Sequence, residues 1–209
     1  MQTTEPNLIN QIRQYLYNHS EEKLNVINIA SELGIPSTDI LSIAPTPSEL
    51  VTKLFIAEFE TFKSIFTDLD FDKEGAIDSM IIAGQEIYKR FCSMNPAITI
   101  HLRDLYPTEY QIFQKEKIAF IEETLKTNLT KGISQSEYCS DIDTDSVIKK
   151  YMEKICELHN PTYLQKGQLT FGTVFSNIIE DFILDVASEE GRQYYRQRKQ
   201  LIEVFYFGH

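Results

Sequence analysis

The chain has 209 residues, 42% hydrophobic and 24% charged, a composition that excludes a disordered or low-complexity polymer. Its 31 acidic against 20 basic residues give a formal net charge of −11, which repels polyanions unless basic residues gather on one face. Cys92, Cys139 and Cys156 lack paired spacing, and His19, His101, His159 and His209 lack an H-x-x-x-H spacing, so neither metal nor cofactor is expected.

The apolar residues recur at helical intervals throughout, which predicts an all-α fold of about ten helices. Leu8, Ile9, Ile12, Tyr15 and Leu16 line one face of a first helix. A short second helix runs from Val26 to Leu33 and stops at Gly34; Pro36-Ser37 opens a third, carrying Ile40, Leu41 and Ile43. Pro45 and Pro47 close it, and a fourth begins at Ser48 with Leu50, Val51, Leu54, Phe55 and Phe62 on its apolar side.

After a break at TDLDFDKEG, helices are predicted from Ala76 to Met94, around Ile100 to Leu105, and from Thr108 to Leu129 with Gly132 as the stop. Capping aspartates in DIDTD open another helix through Val147, Ile148, Tyr151, Met152 and Ile155. A very apolar helix, Phe171 to Ala187, and a final one, Glu189 to Phe207, complete the chain. No leader-like N-terminus and no apolar run of roughly 18 residues is present, so a cytoplasmic protein without a membrane partner is expected.

Asn28 to Leu50, NIASELGIPSTDILSIAPTPSEL, resembles the helix-turn-helix of TetR/AcrR-family regulators: Ile29 and Ala30 match helix 2, Gly34-Ile35 the turn, Ile40 the buried residue of helix 3 and Leu50 the start of helix 4. The order of later elements, from Leu102 through the tyrosine-containing turn at Tyr138 to Ile155, also resembles that family, and the likeness spans roughly Asn7 to Phe207. It implies a helix-turn-helix domain over 1–47 and a ligand-binding and dimerisation domain over 48–209. It further implies a homodimer that binds double-stranded DNA and is released or retuned by a small hydrophobic ligand.

The head departs from the family pattern in places that matter for DNA. Leu41 stands where the family carries a phosphate-reaching tyrosine, Ile43-Ala44 where it carries an aromatic pair, and Pro47 where it carries a lysine. Residues 1–50 hold Arg13 and Lys23 against Glu5, Glu21, Glu22, Glu32, Asp39 and Glu49, so 2 − 6 = −4. Lys and Arg supply most non-specific DNA affinity. The remaining candidates are hydroxyls on Ser37, Thr38, Ser42, Thr46 and Ser48, with Asp39 as an acceptor for a cytosine amino group. The alternative is a degenerate TetR-like sensor or interaction protein that no longer binds DNA.

The helices matching the family's ligand domain supply Phe59, Phe62, Tyr88, Phe91, Met94, Phe113, Phe120, Tyr151 and Met152 as candidate pocket residues, with His101 and Arg103 as polar anchors. Ile148, Ile155, Phe175, Ile178, Ile179 and Phe182 are the candidate dimer interface, because the helix from Phe171 is apolar on more than one face. Asp70, Asp72, Glu74, Gly75 and Asp78 follow calcium-loop spacing, but the twelfth place is Ile81 instead of a glutamate. Glu122 and Glu123 are adjacent and do not face each other on a helix. The basic run RQYYRQRK from Arg192 to Lys199 suits a solvated terminal helix, and no nucleophile elbow or phosphate-cradling loop points to an enzyme.

Overall fold

The computed structural model describes residues 4–19, 24–68, 71–91, 96–157 and 171–207. Among them are ten α-helices: α1 (Glu5–Asn18), α2 (Val26–Leu33), α3 (Ser37–Ile43), α4 (Pro47–Thr67), α5 (Ala76–Phe91), α6 (Pro96–Leu105), α7 (Pro107–Ser134), α8 (Thr144–Glu157), α9 (Phe171–Val186) and α10 (Glu189–Phe207). A single 3₁₀ turn, Phe71–Lys73, lies between α4 and α5. None of the described helices is long and apolar enough to cross a membrane.

The first three helices follow their local signals. The Asn25 side chain accepts from Ile27 N and Asn28 N, satisfying two of the free amides at the start of α2. At its end Gly34 sits at φ 65°, and Gly34 N and Ile35 N donate to Ser31 O and Ala30 O in a Schellman closure. A Cβ at that φ is strained, so glycine suits the turn that aims α3. Ile29, Ala30, Ile40 and Ala44 are buried and hold α2 and α3 together over the apolar face of α1.

Helix α4 then leaves the head and enters the larger bundle. Thr46 caps it, accepting from Glu49 N at 3.2 Å, with Pro47 in the first turn where its missing N–H is harmless. Its buried stripe runs through Leu50, Val51, Leu54, Phe55, Phe59, Phe62 and Ile65. The hydrophobic core is consequently continuous from Leu8 in α1 to Tyr195 in α10. Each fully buried Ile, Leu or Phe contributes about 1.5–3 kcal/mol, so the head and the bundle share a stabilising interior.

Helix α7 ends later than glycine placement predicts. It passes through Gly132 to Ser134 and closes at Gln135, with Ser136 in the left-handed region at φ 61°. Gly132 is present because Tyr138 packs on it: a Cβ there would lie 2.1 Å from Tyr138 Cδ2. The loop after α7 then caps α5, Gln135 Oε1 accepting from Ala76 N at 3.1 Å and Glu137 Oε2 from Ile77 N at 2.8 Å. It also pairs with the α9–α10 junction, through Cys139 N to Val186 O and Ser188 N to Glu137 O.

Buried Asn128 joins this assembly, donating to Ala76 O at 2.9 Å and accepting from the Tyr138 hydroxyl at 2.8 Å. Replacing it leaves the buried Tyr138 hydroxyl without its acceptor. Asn128→Ala is expected to destabilise the protein by about 1–3 kcal/mol in urea unfolding, the range for an orphaned buried polar group; an unchanged midpoint would show the network to be idle.

Candidate functional site

Two features carry functional weight: the α2–α3 head and a pocket in the bundle. On α3, Thr38, Asp39, Leu41 and Ser42 are exposed and Ser37 is half-buried. The Ser42 hydroxyl is already spent, donating to Asp39 O at 2.7 Å. Thr46 accepts from Glu49 N and keeps its own proton. Ser48, expected at the DNA face, is turned into the bundle, where it donates to Glu109 at the start of α7 and holds that carboxyl below the usual range. Exposed apolar Ile27 and Leu41 share this end of the molecule.

Arg13 does not serve the reading face either. Its Nη1 donates to Thr61 Oγ1 on α4 at 3.1 Å, and its Nε is buried without a partner among the described residues. Beside it is a space of about 20 Å³ between α1, α4 and α6, bordered by Glu58 and Thr99. Lys53 pairs with Glu5 across the same junction. The positive charges of this region therefore fasten the head to α4.

The bundle places the expected ligand residues in two groups. Phe59, Phe113 and Phe120 form an aromatic seam between α4 and α7, with Phe55–Phe113 stacked at 4.7 Å and Phe59–Phe120 edge-on at 5.8 Å. The pairs advance together, Ser48 with Glu109, Phe55 with Phe113 and Phe66 with Phe120, so the two helices run parallel. Lys117 interrupts the seam, lying 5.2 Å from the Phe113 ring centroid and 3.6 Å from buried Glu58.

The pocket lies at the far end of this seam and has a volume of about 40 Å³. Phe62 and Phe66 of α4, Met80, Ala83 and Ile87 of α5, and Ile121, Thr124 and Leu125 of α7 form three of its sides. Tyr151 and Ile155 of α8 with Phe175, Ile178, Ile179 and Phe182 of α9 complete it. Of the expected pocket residues, Phe62 and Tyr151 line it. Phe91 and Met152 are buried elsewhere, and His101 is half-buried on α6, its Nε2 without a hydrogen-bond partner among the described residues. Tyr88 points outward, 48% exposed, and Met94 lies outside the described residues.

The expected dimer set is turned inward. Ile155, Phe175, Ile178, Ile179 and Phe182 line the pocket within this chain, and Ile148 is half-buried against its core. The outer face of α9 is instead Asn177, Asp181 and Asp185, the last two paired with Lys154 and Lys150 of α8. The wall residues from α5 and α7 are the ones sequence reasoning missed. Their spacing, Met80, Ala83, Ile87 and Ile121, Thr124, Leu125, is the helical signal that marks a common face.

Other sequence candidates are absorbed structurally. Asp78 is buried and accepts from the Tyr194 hydroxyl and from Arg198 Nε, pinning α10 to α5. Burial and that carboxylate push the Tyr194 phenol up to about 12. Of the basic run, Arg192 donates to Leu184 O and Lys199 pairs with Glu180. No group of three or more metal-ligating side chains occurs among the described residues.

No protein-family model and no curated protein matches the chain. Solved structures do. The structure of the ketosteroid transcriptional regulator KstR2 of Mycobacterium tuberculosis superposes with a TM-score of 0.59 at 14% identity, covering 90% of this chain and 98% of that one. The fatty acid degradation regulator FadR from Bacillus halodurans gives 0.60 at 13% identity, covering 84% and 96%. Both superpositions span most of each chain, and the all-helical fold expected from the helix-turn-helix resemblance is the fold observed.

The Tyr151 hydroxyl donates to Asp185, which also receives Lys150. Desolvation raises the Asp185 pKa, but hydrogen bonds from Lys150 and Tyr151 and the charges of Lys150 and Lys154 outweigh it and leave it below its ordinary 3.8. A depressed folded-state value gives stability that is present above the unfolded value and lost as pH falls through the folded one. Wild type is therefore expected to exceed Asp185→Asn in stability at neutral pH, with the gap closing as the pH falls below about 4 in acid unfolding. A gap independent of pH would contradict this assignment.

Proposed function

We propose that this chain, folded as the TetR-type regulators are, acts as a ligand-responsive transcriptional regulator and binds DNA as a homodimer. The observation that carries the reading is α4: its first half is built into the core of the head and its second half contributes Phe62 and Phe66 to the pocket wall. A guest larger than the pocket's 40 Å³ has to part those walls, so its differential affinity for the widened state tilts α4 and re-aims the head. Met80 is the most adaptable wall residue. The apolar lining suits a hydrophobic effector, in keeping with neighbours named for ketosteroid and fatty-acid regulation.

On this reading Ser37, Thr38 and Thr46 donate hydroxyl protons to phosphates, and Asp39 accepts from a cytosine amino group. Two heads meet a symmetric site, and the protomers join along α8 and α9 through the side bearing Ile148, Leu184 and the Lys–Asp pairs. One observation favours a second reading, in which the head binds a protein partner in place of DNA. The 1–50 segment carries −4, and Arg13 is committed to Thr61.

The test is recovery of fragmented host genomic DNA by the purified protein at low salt, followed by sequencing. The regulator reading expects fragments sharing a two-fold symmetric site, bound with a shallow salt dependence because few lysines or arginines displace counterions. No enrichment, while a TetR-type control recovers its own operator, would favour the second reading.

A further inference from the structure

We propose that the small cavity between α1, α4 and α6 holds one resident water molecule, which joins Arg13 of the head to Glu58 of the bundle. This link is independent of the regulator reading and concerns how the head is fastened to the rest of the chain.

Arg13 of α1, Glu58 of α4 and Thr99 of α6 border this cavity among leucine and phenylalanine side chains. Arg13 spends Nη1 on Thr61, but its Nε–H is buried and finds no acceptor among the described residues. Glu58 is only 7% exposed, and its ion-pair partner, Lys117 Nζ, stands 3.6 Å away. Among the described residues no N–H or O–H donates to the Glu58 carboxylate, and Arg13 and Glu58 form no direct ion pair although they border the same space. Buried polar groups of native proteins are paired, with protein or with ordered water.

Size and chemistry together select the occupant. One water needs roughly 10–15 Å³, so the cavity's 20 Å³ admits one and excludes an organic molecule. The occupant has to accept from the Arg13 Nε–H and donate to the Glu58 carboxylate. A small anion accepts but faces a carboxylate, and a small cation suits the carboxylate but faces a guanidinium. Water does both. The hydroxyl of Thr99, a residue 2% exposed, can complete its hydrogen bonds.

The position gives this water a role. Arg13 is tied directly to α4 at Thr61, over 3.1 Å, and Glu58 lies one turn earlier on the same helix. The water adds a second tie from the same guanidinium, to that earlier turn and to α6. A direct bond fixes one distance, whereas a bridging water can re-aim its hydrogen bonds as its neighbours shift. The head is thus held at this point by one rigid polar link and one adaptable one.

The test is a crystal structure of the full chain, at a resolution that shows ordered water, beside those of Glu58→Gln and Glu58→Leu. Wild type is expected to show a single density peak in the cavity, within about 3.2 Å of both Arg13 Nε and a Glu58 oxygen. Glu58→Gln, which keeps an oxygen acceptor, should retain the peak, and Glu58→Leu, which removes it, should lose the peak. An empty cavity in wild type, direct contact between Arg13 and Glu58, or a peak with the coordination of an ion overturns the proposal. So does a peak that survives undiminished in Glu58→Leu. The wild-type result decides by itself if the leucine variant does not fold.

Discussion

One helix has to satisfy two interiors at once. The Leu50, Val51, Leu54 and Phe55 side chains of α4 complete the core beneath α1–α3, and Phe59, Phe62, Ile65 and Phe66 continue the stripe into the bundle. A close-packed interior transmits displacement because it has few voids to absorb it. The polar contacts at the junction reinforce this: Glu5 to Lys53, Arg13 to Thr61 and Ser48 to Glu109 each tie the head or the start of α4 to its neighbours. Moving the far end of α4 while leaving the head in place would break some of these contacts.

The same economy explains where rigidity is concentrated. The start of α5 is held by side chains from the loop after α7, and Asn128 locks that loop through Tyr138. The α9–α10 junction is pinned to it by two backbone bonds, and α10 returns to α5 through Asp78 with Tyr194 and Arg198. These devices are polar and directional. The pocket lies away from them, and apart from Tyr151 and Thr124 its lining side chains are apolar and held by packing, which repacks with smaller penalty than buried hydrogen bonds break. The compliant part of the bundle is therefore the part that touches α4.

Much of the fold was legible in the sequence because its signals are local. Gly34 as the terminator of α2 and the prolines around α4 act through their own backbone, so the structure places those ends within a residue of expectation. Gly132 misled for the opposite reason: its role is to let Tyr138 approach, and nothing within α7 reveals which distant ring will arrive. The apolar faces of α9 were visible as well, but periodicity says that a face is buried and not what covers it. Here α5, α7 and α8 of the same chain cover Phe175, Ile178, Ile179 and Phe182, so residues read as a subunit interface line the pocket. Aromatic size drew attention to Phe59, Tyr88 and Phe113, whereas Ala83 and Thr124, small and unremarkable in sequence, help to shape the pocket wall.

The central claim is that α4 couples the pocket to the head. Its most direct test is amide hydrogen exchange, read by mass spectrometry, in the full chain with and without methylcyclohexane as a small apolar probe of the pocket. The account predicts altered protection along the second half of α4 and also in α1 and α3, which lie outside the pocket. A change confined to the pocket-lining segments, with α1 and α3 exchanging as before, would contradict the coupling.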